Sequence, residues 1–175
     1  MKDILLGKCW VFGDGIPIDG GIIDLKYVLE QIHDPKELAK HVMERLNPEF
    51  PKSAQPNDFV AAGRRFGLGN PHIQGFLGLK GLGVGVLAES MPRGAVRCAV
   101  NAGLYFLPHC PGISQMARAG DELEVNFSAG KIHNRTTGAH LQVEPLPEMI
   151  LEIIRAGGGK GYVRQIISSI TPKTG

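Results

Sequence analysis

The chain has 175 residues, of which 43% are hydrophobic and 21% are charged, and its formal net charge is +2. This length and balance predict one soluble globular domain over residues 1–170, followed by a loose tail over residues 171–175. The small charge argues against nucleic acid and an anionic membrane surface as partners, and the lack of a long apolar run or a signal-peptide pattern predicts a cytoplasmic protein.

The chain begins with a predicted strand and a predicted helix. Residues 4–12 are mostly apolar and end at Gly13, a pattern that predicts a buried strand running into a tight loop. Asp34 is a good N-cap residue and a proline follows it, so we expect a helix over residues 35–46. This helix should stop before Pro48, because a proline disfavours helical geometry in the residue ahead of it.

The rest of the chain predicts alternating strands and helices, then a meander. Strands are expected over residues 57–63 and 84–88, with a helix between them. Alternating apolar residues and two glycine turns predict an antiparallel meander over residues 123–143. Helices should follow over residues 148–156 and 162–170. This order of elements predicts a mixed α/β fold with a β-rich half.

The cysteines show no pattern for binding a metal or forming disulfides. Cys9, Cys98 and Cys110 are odd in number and lack Cys-x-x-Cys spacing, so we interpret them as three reduced thiols. His109 and Cys110 are interpreted as packing residues because no further ligand stands nearby in the sequence. The sequence therefore predicts no metal site on this chain.

Several segments together resemble the small subunit of isopropylmalate dehydratase, which is similar to the swivelling last domain of aconitases. They follow the family's order across most of the chain, so their coincidence is far more specific than any one of them. The segments are Trp-Val-Phe-Gly-Asp at residues 10–14, His-Val-Met-Glu at 41–44, Asn-Pro-Glu-Phe at 47–50, Gly-Arg-Arg-Phe-Gly-Leu-Gly at 63–69, Ala-Val-Asn-Ala-Gly-Leu at 99–104, Gly-Asp-Glu-Leu-Glu-Val at 120–125, and Thr-Thr-Gly at 136–138 with Glu-Pro-Leu-Pro at 144–147.

The resemblance implies an α/β fold of the β/β/α swivelling type, docked on a separate large subunit. That partner would carry a [4Fe-4S] cluster, so no cofactor is expected on this chain. In such enzymes one open iron binds the hydroxyl and carboxylate of the substrate while water is removed and returned. The small subunit supplies the substrate-recognition loop and, by analogy with aconitase, a serine base. The isolated chain should be inactive, and a homo-oligomer is possible in that state.

The expected recognition loop departs from the family pattern. The family usually reads Gly-Cys-Gly-Ser-Ser-Arg-Glu-His, whereas residues 67–74 read Gly-Leu-Gly-Asn-Pro-His-Ile-Gln. Gly67 and Gly69 are kept around Leu68, but both serines, the arginine, the glutamate and the histidine are lost. Removing a proton next to a carboxylate requires a base within hydrogen-bond reach. The sequence therefore leaves the catalytic residue of this chain unknown.

The residues of the altered loop that we assign to the substrate are Gly67, Leu68, Gly69, Asn70, Pro71 and His72. Asn70 cannot act as a base and Pro71 has no side-chain donor, whereas His72 offers one aimed N–H in place of a guanidinium fork. Because Asn70 is a good N-cap and Pro71 suits the first helical turn, we expect a helix to begin here. Its free amides would hold a carboxylate. Alternatively, the glycines serve only a tight turn and close packing.

Basic residues on either side of this loop are further candidates. Arg64 and Arg65 precede it, and one of them is a replacement for the lost guanidinium. Arg93 and Arg97 match basic positions of the family. Arg93 is assigned to the substrate and Arg97 to an interface or a supporting role, and a solvated helix face is the alternative for both.

The first loop keeps two of the family's three acidic residues. The family pattern Gly-Asp-Asn-Ile-Asp-Thr-Asp becomes Gly-Asp-Gly-Ile-Pro-Ile-Asp at residues 13–19. Asp14 and Asp19 are therefore candidates for roles at the interface or in support of the substrate-binding residues. For Asp14, a local Asx-turn is the alternative.

Three functions fit these features. The first is a subunit of a hydro-lyase that acts, with a cluster-bearing large subunit, on a hydroxylated di- or tricarboxylate other than 3-isopropylmalate. The second is a non-catalytic subunit that keeps the docking surface but has lost the catalytic serine. The third is a stand-alone module that binds carboxylates. The ordered resemblance favours the enzyme subunit.

Overall fold

The computed structural model describes residues 3–170, so the expected loose tail at residues 171–175 lies outside the described residues. The strands are β1 (Ile4–Phe12), β2 (Phe59–Ala62), β3 (Gly85–Ala88), β4 (Phe106–Leu107), β5 (Glu122–Asn126), β6 (Lys131–Asn134) and β7 (His140–Gln142). The helices are α1 (Leu25–Leu29), α2 (Pro35–Ala39), α3 (Phe50–Ser53), α4 (Gln74–Leu82), α5 (Arg93–Ala102), α6 (Ile113–Met116), α7 (Glu148–Arg155) and α8 (Gly159–Ile170).

The strands form one seven-stranded sheet in the order β4-β3-β2-β1-β5-β6-β7, and β1 joins its two halves. Residues 4–8 of β1 pair antiparallel with β5, whereas residues 9–12 pair in parallel with β2. Strands β3 and β4 continue the parallel half, and β6 and β7 continue the antiparallel half. The carboxyl ends of β1, β2 and β3 therefore meet at one edge, where open α/β sheets bind their ligands.

Strands β2, β3 and β4 of the parallel half are buried, whereas β1, which was predicted as a buried strand, has only Cys9 buried. Every residue of β2 and β3 is buried, as expected for parallel strands that are covered on both faces. Six fully buried phenylalanines are among the largest core side chains, namely Phe50, Phe59, Phe66, Phe76, Phe106 and Phe127. Buried residues from both halves of the sheet belong to one hydrophobic cluster. The assignment of residues 1–170 to a single domain stays a prediction.

Most of the elements predicted from the sequence are present. The first strand spans residues 4–12 as predicted, the meander forms strands β5 to β7, and α7 lies within one residue of its predicted bounds. The last helix begins earlier than predicted, at Gly159. Among residues 3–170, no helix combines the length and the apolar character that crossing a membrane requires.

The helix predicted over residues 35–46 is wrong in length, because α2 ends at Ala39. Its start is confirmed, since the Asp34 side chain accepts a hydrogen bond from the Lys36 amide at 3.0 Å. Further on, Met43 adopts a left-handed φ of 56° and its amide donates to the Ile22 carbonyl at 2.8 Å. This contact turns the chain back toward the loop that follows β1, and tertiary packing thereby overrides the helical pattern.

An ion pair fastens the start of β1 to α7. Arg155 Nη2 lies 2.6 Å from Asp3 Oδ2, and its Nε donates to Oδ1 at 3.0 Å. The Tyr105 hydroxyl also donates to Asp3 Oδ1, at 3.0 Å. The hydrogen bonds from Arg155 are the main reason that the pKa of the buried Asp3 carboxyl lies below its ordinary value. The ionised form of Asp3 is therefore favoured by folding.

We expect Asp3→Asn to lower the free energy of unfolding at neutral pH. The variant's free energy of unfolding should also change less than that of the wild-type protein as the pH falls. Because the pKa of Asp3 is depressed in the folded protein, its contribution is complete above the unfolded-chain value of about 4 and is lost as the pH falls further. Urea titrations at pH values between about 3 and 7 measure this difference. Equal acid sensitivity of the variant and the wild-type protein would contradict the assignment.

Candidate functional site

Three loops meet at the carboxyl edge of the parallel strands. We call residues 13–24, which follow β1, the first loop. Residues 63–73, which follow β2, are the recognition loop, and residues 89–92, which follow β3, are the third loop. These loops contain or directly adjoin every residue that the sequence analysis assigned to the substrate, the interface or a supporting role, except Arg97.

Backbone hydrogen bonds join the first loop to the recognition loop. The Ile16 carbonyl accepts from the Gly67 amide at 2.8 Å and from the Leu68 amide at 3.1 Å. In return, the Ile18 amide donates to the Leu68 carbonyl at 2.8 Å, which makes a short parallel bridge between Pro17 and Leu68. The two loops therefore form one hydrogen-bonded unit of backbone.

Asp14 fixes the start of the recognition loop. Its Oδ1 accepts from the Arg64 amide at 2.7 Å, across 50 positions of sequence, whereas a local Asx-turn was the alternative for this residue. A Cβ atom at Gly63 would lie 1.9 Å from the same oxygen, so the close approach requires glycine there. The Arg64 side chain is exposed, with its Nε 3.6 Å from Glu89 Oε2 in the third loop.

The third loop holds the recognition loop through Ser90, which the sequence analysis did not assign a role. The Arg65 amide donates to Ser90 Oγ at 2.9 Å, and the Phe66 amide donates to the Ser90 carbonyl at 3.0 Å. Arg65 has a left-handed φ of 58°, which is uncommon for a residue with a side chain and is often found at functional sites. The position of Ser90, directly after a buried strand, was the signal available in the sequence.

Arg93 stands beside the recognition loop, whereas Arg97 lies one turn further along α5. Arg93 is the first residue of α5 and is exposed. A Cβ atom at the next residue, Gly94, would lie 3.1 Å from the Cβ of Pro71. A cation at a helix N-terminus opposes the helix dipole, so this position costs stability rather than adding to it. Arg97 is also exposed, as a solvated helix face would be.

His72 and Asp19 form a contact that was not predicted from the sequence. The His72 Nδ1 atom lies 2.8 Å from Asp19 Oδ1, and it joins the recognition loop to the first loop. Their side chains are 31% and 27% exposed, so both remain accessible from the surface. The sequence placed these residues on two different loops and in two different roles, and the fold brings them together.

The helix expected to begin at Asn70 and Pro71 begins instead at Gln74, so that prediction is wrong. Asn70 and Pro71 are exposed loop residues. Gln74 and Gly75 are buried, and a Cβ atom at Gly75 would lie 2.7 Å from Cγ2 of Ile22. Because the start of α4 packs against this chain's own core, its amides do not form the predicted carboxylate site. Any substrate contact from this loop must come from its exposed residues.

The cysteine thiols do not fit cluster ligation. All three are buried, and burial is the main reason that the pKa of Cys9 and that of Cys110 are each raised to about 12. Burial also raises the pKa of Cys98, so these thiols stay protonated at neutral pH. Among residues 3–170, no group of three or more His, Cys, Asp or Glu side chains is placed to hold a metal ion. Cys110 packs in the core as predicted, whereas His109 is exposed and does not.

The comparisons with known proteins agree with this fold. No protein-family model matches the chain. The chain is 41% identical over 166 residues to the isopropylmalate/citramalate isomerase small subunit of Methanocaldococcus jannaschii. The aligned region covers 94% of this chain and 96% of that protein. It is also 40% identical over 159 residues to a 3-isopropylmalate dehydratase small subunit of Methanopyrus kandleri, and this aligned region covers 90% of this chain and 91% of that protein.

A solved structure gives the same result in three dimensions. The crystal structure of a 3-isopropylmalate dehydratase from Methanocaldococcus jannaschii matches with a TM-score of 0.84 and 30% identity, over 95% of this chain and 98% of that chain. The chain therefore belongs to the family of 3-isopropylmalate dehydratase small subunits. The resemblance and the α/β fold class inferred from the sequence are confirmed.

We expect Gly67→Ala to be more destabilising than Gly69→Ala. Both glycines have a left-handed φ, of 89° and 92°, so both variants pay a similar backbone strain. At Gly67 the new Cβ would also lie 2.5 Å from the Cβ of Ala95, whereas nothing lies within 4 Å at Gly69. Overpacking of this kind typically costs about 1–3 kcal/mol. Urea titrations of both variants measure the difference.

The double variant Gly67→Ala with Ala95→Gly is the control for this comparison. It removes the methyl group that the new Cβ would meet, so it should recover the part of the loss that comes from the clash. Equal unfolding free energies for the two single variants would show that the recognition loop does not depend on close packing against α5.

Proposed function

We propose that this chain is the small subunit of a cytoplasmic two-subunit hydro-lyase that dehydrates or isomerises a hydroxylated di- or tricarboxylate. The observation that supports this most strongly is similarity over nearly the whole chain to relatives named as 3-isopropylmalate dehydratase or isopropylmalate/citramalate isomerase small subunits. The three joined loops at the carboxyl edge of the sheet supply a surface on which a substrate and a partner meet. No observation favours the non-catalytic alternative.

The proposed partner is a large subunit that carries a [4Fe-4S] cluster. This chain's own thiols are buried and protonated, so the cluster ligands belong on the partner. When bound there, the cluster would supply a Lewis-acidic iron for the substrate's hydroxyl group. In this arrangement the small subunit binds and orients the rest of the substrate, and the isolated chain is inactive.

The surface of the recognition loop suits an anionic substrate. Exposed guanidinium groups on Arg64, Arg65 and Arg93 come from the recognition loop and from the start of α5 beside it. Guanidinium groups bind carboxylates with charge-assisted hydrogen bonds, often in pairs. The residues proposed to contact the substrate are Arg64, Leu68, Gly69, Asn70, Pro71, His72 and Arg93, whereas Gly67, first assigned to the substrate, is buried and is reassigned to packing. We assign Asp14, Asp19 and Arg97 to the interface or to the support of these residues.

We further propose that the substrate is not 3-isopropylmalate itself. The family's Ser-Ser-Arg is replaced by Asn70-Pro71-His72, and all three residues are at least partly exposed on the loop. A proline removes a backbone donor, and a histidine lacks the two-pronged geometry of arginine. The changed hydrogen-bond donors in this loop favour a substrate whose carboxylate and hydroxyl groups are arranged differently from those of 3-isopropylmalate.

The test is co-expression with a cluster-bearing large subunit from the same organism and purification without oxygen. We expect a brown heteromeric complex that hydrates at least one substituted maleate. The loss of the alkene absorbance measures this reaction. The small chain alone should show no turnover. A cluster-loaded complex that turns over none of these acids would favour the non-catalytic subunit, and failure of the chains to associate would overturn the proposal.

We expect Arg93→Gln to raise the KM for the carboxylate substrate without weakening the fold. One charge-assisted hydrogen bond contributes about 1.5–3 kcal/mol, which corresponds to roughly a tenfold to hundredfold rise in KM. The unfolding free energy should not fall, because Arg93 opposes the dipole of α5. Arg135→Gln, on the antiparallel half of the sheet, is the matched control. Steady-state kinetics of the complex would refute this role if both variants had the same KM.

A further inference from the structure

We propose that His72 is the catalytic base of this subunit and that Asp19 is the residue that positions it. This inference rests on the proposed function, and it assigns the proton transfer that the sequence left open. Under this proposal, a histidine of the recognition loop acts as the base in place of the family's serine.

The geometry of the pair matches a base and its orienting carboxylate. The His72 Nδ1 atom lies 2.8 Å from Asp19 Oδ1. An ionised carboxylate only accepts hydrogen bonds, so Nδ1 carries the hydrogen and the lone pair is on Nε2. Among residues 3–170, no hydrogen-bond partner occupies Nε2. With 31% of its side chain exposed, His72 offers this lone pair to a ligand.

The other candidates at this edge are already engaged. Asp14 Oδ1 accepts from the Arg64 amide, and Ser90 Oγ accepts from the Arg65 amide. Glu89 lies 3.6 Å from the Arg64 guanidinium. Each of these groups holds the loops together, whereas the His72 ring is held on one side and open on the other. His72 is therefore the described group in these loops with the geometry of an oriented base.

The proton transfer balances as an elimination of water. Nε2 takes the proton from the carbon next to a substrate carboxylate, and the electrons of that C–H bond form the second bond of the alkene. The hydroxyl group leaves the neighbouring carbon with the electrons of the C–O bond. The leaving hydroxide and the proton held by the imidazolium together make up the water that is lost. In hydration, the imidazolium returns its proton to carbon, and hydroxide adds to the other carbon.

Two substitutions of His72 distinguish a role as a base from a role in binding the substrate's carboxylate. For a base, His72→Asn and His72→Arg should each lower kcat on the order of 10²–10⁴-fold, because neither side chain takes up a proton. If His72 instead binds the substrate's carboxylate, His72→Arg should keep or improve turnover, because a guanidinium binds a carboxylate through two parallel hydrogen bonds. A His72→Arg complex with wild-type kcat would therefore overturn the proposal.

Asp19→Asn tests the positioning role. We expect kcat to fall about tenfold or more with little change in KM, because an asparagine amide that donates to Nδ1 would favour the wrong tautomer of the ring. Asp19→Glu should recover part of kcat. A purely structural role for Asp19 would change KM together with kcat.

The tautomer of His72 is measurable in the full chain without any turnover. Long-range proton–nitrogen correlation spectra of the labelled chain should show hydrogen on Nδ1 in the wild-type protein and on Nε2 in Asp19→Asn. Hydrogen on Nε2 in the wild-type chain would overturn the proposed pair. His140→Asn, on the antiparallel half of the sheet, is the control and should change neither the His72 signals nor kcat.

These outcomes distinguish the two proposals. A wild-type complex without turnover overturns the proposed function and, with it, the role of His72 as a base. An active wild-type complex whose His72→Arg variant is equally active overturns only the assignment of the base. Each variant is first checked for association with the large subunit and for an unchanged circular dichroism spectrum.

Discussion

The candidate site depends on the hydrogen bonds that bind the first loop to the recognition loop. Two amides of the recognition loop donate to the Ile16 carbonyl, and the Ile18 amide donates to the Leu68 carbonyl. These bonds require the backbone to turn at Gly67, where a side chain would collide with Ala95 of α5. Because the backbone bonds do not involve the side chains that face a ligand, those side chains are free to change. This separation explains how a loop with altered chemistry keeps its place.

The loop framework and the loop chemistry have therefore followed different constraints. Gly67 is held by close packing and a left-handed φ, so its presence reflects geometry more than substrate contact. The interpretation of this glycine as a packing residue, considered at first only as an alternative, is the one that the structure supports. At Asn70, Pro71 and His72 the side chains are at least partly exposed, and no comparable packing fixes their identity. The Asp19–His72 contact joins the two loops through their side chains.

The sequence predicted β1 and α7 closely because they carry strong local patterns, whereas β4 and α5 were not predicted as elements. The strand over residues 4–12 is mostly apolar and ends before Gly13, and tertiary packing did not change its bounds. Two helix boundaries were wrong for the same physical reason. At Met43 a long-range hydrogen bond to Ile22 turns the chain, and at the start of α4 Gly75 packs closely against Ile22. Local capping preferences are worth about 1 kcal/mol, which is less than such packing provides.

The sequence by itself determined the α/β class, the family resemblance and the list of residues near the site, since these follow from local patterns and their order along the chain. Only the tertiary structure decided which of those residues meet. Asp19 and His72 are 53 positions apart, and no local rule relates them. The contact exists because parallel pairing of β1 with β2 brings the ends of both strands to the same edge of the sheet. Contacts of this kind are set by strand register and loop packing, which a single sequence does not display.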